Sequence, residues 1–155
     1  SAGNGRIICA EPVSAIKATK LRPWLQRISL LKPNRMEAVA LTGLDEDCAA
    51  SDLATALHQQ GVERVVISLG RDGIYGSDKD GTIFTQASYP VSIQSVTGAG
   101  DTLMAALVDT FLAGQALSEA LPWAQAAATL SLKSARAIHP GLCEAAVRSE
   151  QEAHS

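Results

Sequence analysis

Aromatic residues are scarce in this chain of 155 residues: Phe, Trp and Tyr together make up 4%. The core must therefore be aliphatic. Cysteine is also sparse. Cys9, Cys48 and Cys143 are odd in number, widely spaced and without a C-x-x-C pair, which argues against a disulfide framework or a zinc site. No Lys/Arg cluster occurs, and 13 basic against 16 acidic residues give a net charge of −3, so no electrostatic footprint for nucleic acid or an anionic membrane is present. No apolar run approaches the roughly 20 residues that span a bilayer, and the first residues lack the apolar region of a signal peptide. The expectation is a soluble, cytoplasmic protein whose partners are small molecules or protein.

Hydrophobic residues at 46% and charged residues at 19% are ordinary globular usage, and the length suits one compact unit with its own core. Ile7-Ile8-Cys9-Ala10 reads as a short buried strand, ended by Glu11-Pro12. Leu21, Trp24, Leu25 and Ile28 suggest a helix over 17–27, started or kinked at Pro23. Ser29-Leu30-Leu31 reads as a second strand. Asn34 is a good N-cap with Glu37 three residues on, and Gly43 stops the helix. Asp47 to Gln60 has an amphipathic helical pattern, and Arg64-Val65-Val66-Ile67-Ser68-Leu69 is the clearest buried strand. Short segments with turn chemistry follow, ending in Val91-Ser92-Ile93, and suggest an antiparallel meander at the sheet edge. Helices are predicted over 102–113, 117–135 and 142–148. The expected fold class is α/β, a doubly wound, mostly parallel sheet with antiparallel edge hairpins.

Thr97-Gly98-Ala99-Gly100-Asp101 carries the most chemistry. Small residues at a helix start let backbone N–H groups approach an anion, and the helix dipole adds partial positive charge there. Asp101 puts a carboxylate beside that anion site, as a general base for phosphoryl transfer requires. The same five residues also describe a helix that merely begins with small residues. The chain contains neither G-x-x-x-x-G-K-[ST] nor G-x-G-x-x-G, which disfavours a P-loop NTPase and a dinucleotide-binding oxidoreductase.

Val96-Thr97-Gly98-Ala99-Gly100-Asp101-Thr102-Leu103-Met104-Ala105-Ala106-Leu107 resembles the C-terminal signature of the ribokinase-like, pfkB-type carbohydrate kinases. Leu31-Lys32-Pro33-Asn34-Arg35-Met36-Glu37-Ala38 and Val66-Ile67-Ser68-Leu69-Gly70-Arg71-Asp72-Gly73 match further family segments in the right order. Within the family, Glu11-Pro12-Val13-Ser14-Ala15-Ile16-Lys17 followed by Lys32-Pro33-Asn34-Arg35 most resembles the pseudouridine kinases, whose acceptor is a ribose 5′-hydroxyl.

The resemblance implies an ATP-dependent phosphotransferase acting on a ribose-containing nucleoside or sugar. Asp101 would be the catalytic base, and Gly98, Ala99 and Gly100 the anion hole. Asn34 and Glu37 match the family's N-x-x-E motif, which helps hold Mg²⁺ and phosphate oxygens through water; their spacing equally describes a capping box. Ser68, Gly70, Asp72, Gly73 and Thr97 would line the nucleotide site, where Asp72-Gly73 also reads as a plain turn. Ala127, Ser131 and His139 are candidate adenine contacts. Ser95 stands where many relatives carry an acidic residue, which puts activation by a monovalent cation in doubt. Family members run to about twice this length, so the chain is expected to be the C-terminal, nucleotide-binding and catalytic half of the domain. The sugar-binding and lid half would lie outside it, which points to a homodimer or to association with that half, and to little activity of the chain alone.

Overall fold

In the computed structural model, residues 6–136 and 139–154 are described. The chain forms two compact units: residues 1–70 with 75–84, and residues 71–74 with 85–155. No compositional linker separates them, because the chain passes between them inside the hairpin region that the sequence marks only by turn residues.

The first unit is built on a sheet in the order β1-β2-β3-β4-β5. Cys9–Ala10 (β1), Leu30–Leu31 (β2) and Arg64–Ser68 (β3) are parallel, with Ala10 opposite Leu31 and Leu31 opposite Val65. The first two strands are short because Pro12 and Pro33 each follow two residues after the strand and cannot donate to a ladder. Ile74–Asp78 (β4) returns after a short 3₁₀ turn, and the Lys79 N–H donates to the Glu63 carbonyl at 2.8 Å, as an antiparallel partner of β3 does. Ile83–Gln86 (β5) completes the expected edge hairpin.

The crossover segments pack together and bury an aliphatic core of Leu25, Leu31, Leu41, Leu53, Leu57, Val62, Val65 and Ile67. Ala15–Ala18 (α1) is a single turn that continues as a 3₁₀ helix over Thr19–Arg27, where a longer α-helix was predicted. Pro23 lies inside that stretch and supplies no N–H, so a regular α-helical ladder cannot run through it. Arg35–Thr42 (α2) begins and ends where Asn34 and Gly43 place it. Ala50–Gln59 (α3) starts later than Asp47. The Glu46 and Cys48 carbonyls accept from the Arg35 guanidinium, so the segment before Ala50 is turned toward that side chain instead of into the helix.

The second unit contains Ala99–Leu112 (α4), Leu117–Leu132 (α5) and Glu144–Glu152 (α6). Its core joins Tyr89, Ala126, Ala127, Leu130 and Val147, with Ala106, Trp123, Leu142 and Ala146 packed against them. Three expectations shift. Val91-Ser92-Ile93 is not a strand: the backbone there is irregular, and the Gln94 N–H donates to the Leu132 carbonyl at the end of a helix instead of to a neighbouring strand. The α5 helix ends at Leu132, and α6 runs from Glu144 to Glu152. Most consequentially, α4 begins at Ala99 and not at Thr102. Among the described residues no helix is long and apolar enough to cross a membrane.

Candidate active site

In open α/β sheets, ligand-binding groups collect beyond the carboxyl ends of parallel strands. In the first unit those ends carry Glu11, Lys32, Asn34 and Ser68. The Ser68 N–H donates to the Pro33 carbonyl at 3.0 Å, and Asn34 bridges to Ser68 in parallel register. Asn34 and Glu37 form a reciprocal capping box. The Asn34 side-chain oxygen accepts from the Glu37 N–H, and Glu37 Oε2 accepts from the Asn34 N–H, both at 2.9 Å. Glu37 is thereby buried and fixed in orientation, while Asn34 is exposed. The second carboxylate oxygen of Glu37 makes no hydrogen bond among the described residues. Capping and ligand binding can therefore coexist on this one side chain.

Beside them lies a pair that sequence reasoning did not assign. Lys32 Nζ meets Glu11 Oε1 at 2.5 Å, with the Lys32 side chain 4% exposed and that of Glu11 25%. Ala10 lies opposite Leu31, so the next residue on each strand, Glu11 and Lys32, falls at the following register position. Two opposite charges just after two neighbouring parallel strands were the available signal. Burial holds the Cys9 thiol, two residues before Glu11, above the ordinary thiol value, which favours its protonated form.

In the second unit, Gly98 is the N-cap of α4 at φ +86, a left-handed conformation that a residue with a Cβ adopts only with strain. That cap is why the helix starts at Ala99. Thr102 donates back to the Gly98 carbonyl at 2.9 Å. No side chain caps this end, so the N–H groups of Ala99, Gly100 and Asp101 are the unpaired donors that every helix start presents. Asp101 lies in the first turn and is exposed, as are Thr97 and Gly100. The Thr97 N–H donates to Ser95 Oγ at 3.2 Å.

Asp72 is exposed and Gly73 is buried at φ +91, so tightly placed that a Cβ would lie 2.0 Å from the Gln86 carbonyl oxygen. Gly70, at the end of the first unit, is open. Ser131 does not fit its predicted role: it is 0% exposed within α5, and a side chain without accessible surface cannot touch a ligand unless the helix moves. Ala127 is likewise taken up by the core. His139 accepts the Gly141 N–H on Nδ1 at 3.0 Å, which orders the Pro140-Gly141 turn.

Residues 5–142 match the pfkB family of carbohydrate kinases. The chain belongs to that family. It is 38% identical over 139 residues to the pseudouridine kinase of Escherichia coli strain K12, covering 87% of this chain and 44% of that one. The fold is the ribokinase-like one. A sugar kinase structure from Clostridium perfringens superposes with a TM-score of 0.84 at 28% identity, over 92% of this chain and 45% of that one. Ribokinase from Arabidopsis thaliana, solved with ribose and ATP, gives 0.74 at 27%, over 84% and 43%. The chain thus spans under half the length of these pfkB relatives, which are carbohydrate and nucleoside kinases. Among the described residues no three His, Cys, Asp or Glu side chains converge on a metal position. Mg²⁺ does not require such a cage, since it retains waters and takes one or two carboxylates together with phosphate oxygens. Glu37, with its unengaged oxygen, fits that donor chemistry.

Proposed function

We propose that this chain is the C-terminal, nucleotide-binding and catalytic half of a pfkB-type kinase that transfers the γ-phosphoryl group of ATP to a ribose 5′-hydroxyl, with pseudouridine as the leading acceptor. The start of α4 carries the reading: unpaired amides at Ala99, Gly100 and Asp101, a left-handed Gly98 ahead of them, and an exposed carboxylate in the same turn. Asp101 accepts the hydroxyl proton as the acceptor oxygen attacks phosphorus in line and the bond to the ADP oxygen breaks. The α4 amides and helix dipole stabilise the negative charge on the transferring phosphoryl oxygens. Ser68 and Gly70 in the first unit, and Asp72, Gly73 and Thr97 in the second, are the nucleotide contacts that the family resemblance implies. Asn34 and Glu37 hold hydrated Mg²⁺, which supplies charge neutralisation at the phosphate oxygens when bound. Ser95 offers a neutral hydroxyl that accepts from the Thr97 N–H where many relatives carry an acidic residue, which puts potassium activation in doubt. The acceptor-binding and lid elements come from outside these residues, and the working location is the cytoplasm.

The test pairs calorimetric titration of the chain with Mg·ATP and a transfer assay on the protein that carries this chain together with its acceptor-binding half. Asp101→Asn leaves nucleotide affinity within about twofold and lowers kcat by about a thousandfold, the scale of a lost general base. Unchanged turnover overturns the assignment.

A second reading, a nucleotide-binding module without catalysis that is covered by another chain or a second copy, draws on Ile7, Ile8, Val13 and Ile16. These are 42–85% exposed around β1 and the start of α1, an apolar margin of the kind partners cover. Mg·ATP binding with no transfer to any ribose or sugar acceptor selects it.

A further inference from the structure

The irregular segment from 87 to 97 leads directly into Gly98, yet its order does not come from strand pairing. It is tied down at separate points within the second unit. Ser88 Oγ donates to the Arg71 carbonyl, and Gly73 packs against the Gln86 and Ala87 backbone. Six residues after Ser88, the Gln94 N–H is held by the Leu132 carbonyl. Between these points the only large side chain turned inward is Tyr89, which is 8% exposed and packs with Ala126, Ala127, Leu130 and Val147.

The outer face of that ring is closed by the end of α6. Tyr89 and His154 stack with centroids 4.5 Å apart and planes 19° from parallel. His154 Nε2 donates to Glu150 Oε1 at 3.2 Å, and Lys133 Nζ donates to both Glu150 oxygens at 2.8 and 2.6 Å. Lys133 stands at the C-cap of α5, one residue beyond the carbonyl that holds Gln94. Glu150, itself buried, therefore fastens the end of α5 and the imidazole that covers Tyr89 at the same time. Lys133 itself is 41% exposed, but both carboxylate oxygens of the buried Glu150 are satisfied, which makes the arrangement geometrically specific.

We infer that Tyr89, clamped between α5 and the His154–Glu150–Lys133 network, is a positioning residue that sets the path of residues 90–97 and so the placement of the α4 N-terminus. The inference rests on the reading of that N-terminus as the phosphate site. It goes beyond that reading by making the end of α6, which touches no proposed site residue, a determinant of nucleotide affinity. An aromatic side chain suits the task because it loses little rotamer freedom while filling a large, flat contact.

The experiment compares the wild-type chain with Tyr89→Leu, Tyr89→Phe and His154→Ala, by backbone hydrogen exchange and by titration with Mg·ATP. Tyr89→Leu and His154→Ala are expected to speed exchange across residues 90–101 at least fivefold, to leave β3 unchanged, and to raise the Kd for Mg·ATP by at least fivefold. Tyr89→Phe, which keeps the ring, stays within twofold of wild type in both. A merely structural role would spread faster exchange over α5 and α6 and would not separate Leu from Phe. His154→Ala removes a partly exposed side chain and keeps the question answerable if Tyr89→Leu fails to fold. Exchange across 90–101 within twofold of wild type in both ring-disrupting variants overturns the inference, whatever the titration gives. Absence of Mg·ATP binding by the wild-type chain overturns the nucleotide-site reading, and the nucleotide part of the inference falls with it, while the exchange comparison still decides the path of the loop.

Discussion

Gly73→Ala is the substitution for which the structure demands the largest local response. Two costs act together. At φ +91 an L-residue is strained by about 1–2 kcal/mol. The new Cβ would also stand 2.0 Å from the Gln86 carbonyl oxygen and 2.8 Å from both Cα and C of Ala87, where real Cβ atoms stay beyond 3.0 Å. All three neighbours are backbone atoms, so no rotamer change relieves the clash, and the 71–74 and 85–88 segments must separate by about 1 Å or more. Loosening the Ser88 to Arg71 hydrogen bond adds about 1 kcal/mol, for about 2–3 kcal/mol before the cost of moving the two backbone segments apart is added. Gly70 and Gly81 are internal controls: their φ values of +63 and +96 impose the strain, but nothing lies within 4 Å of their added Cβ. Thermal unfolding followed by circular dichroism should give Tm losses of about 3–5 °C for Gly70→Ala and Gly81→Ala and about 10 °C for Gly73→Ala, using the usual conversion for a chain of this size. Fluorescence of Trp123, which packs against the core of the second unit, should register the Gly73→Ala loss. Equal Tm values for Gly73→Ala and Gly81→Ala would refute the argument, because they would show that the 71–74 and 85–88 segments are not in contact.

Two further outcomes follow from buried polar groups. His58 Nδ1 faces the Val62 carbonyl and Nε2 faces Ser77 Oγ, each at 2.9 Å; the carbonyl can only accept, so Nδ1 carries the proton and Ser77 donates to Nε2. Ser77→Ala should leave Nε2 without its donor and cost about 1–2 kcal/mol in chemical denaturation, and ¹⁵N shifts of the ring should already report the Nδ1–H tautomer in the wild type. Burial is the main cause that pushes the hydroxyl groups of Tyr75 and Tyr89 above the ordinary tyrosine value of 10.0, with Asp52 and Glu150 adding to it. A raised folded-state value means stability that is fully present below about pH 10 and is lost as the pH rises through it, so alkaline unfolding followed by far-ultraviolet circular dichroism should be delayed in a Tyr75→Phe/Tyr89→Phe protein.

Much of the first unit was legible in the sequence because its signals are local. Short strands ended by prolines, observed at Cys9–Ala10 and Leu30–Leu31 inside the longer runs 7–10 and 29–31, a β-branched run at 64–69 and an Asn-x-x-Glu start closed by glycine each depend on residues within a few positions. Each appears where it was expected. The errors occur where a distant partner outvotes the local pattern. Arg35 turns the Glu46 and Cys48 carbonyls away from the helix predicted at Asp47, and the Leu132 carbonyl takes the Gln94 N–H that a strand would have used. The family resemblance places the adenine near the second Ala-rich helix, which makes Ser131 an expected adenine contact. The Ala-rich run of that helix buries the whole face of α5, so the feature that marks the helix also removes the residue from the site.

The start of α4 shows how a small error in a boundary changes chemistry. Placed at Thr102, the helix would leave Gly98-Ala99-Gly100 as a loop, with Asp101 as an N-cap whose side chain satisfies its own helix. Started at Ala99 behind a left-handed Gly98, the same residues become the first turn. Their amides point out of the helix end unpaired, and no side chain, that of Asp101 included, caps them. The carboxylate remains free to take a proton, and the donors remain free to meet an anion. Small residues alone predict neither outcome; the positive φ at Gly98 decides between them, and on the inference drawn above that angle depends on how the chain arrives from residues 90–97. Positioning of the segment before the helix, more than the composition of the motif, therefore determines whether a glycine-rich helix start is a phosphate site or only a helix start.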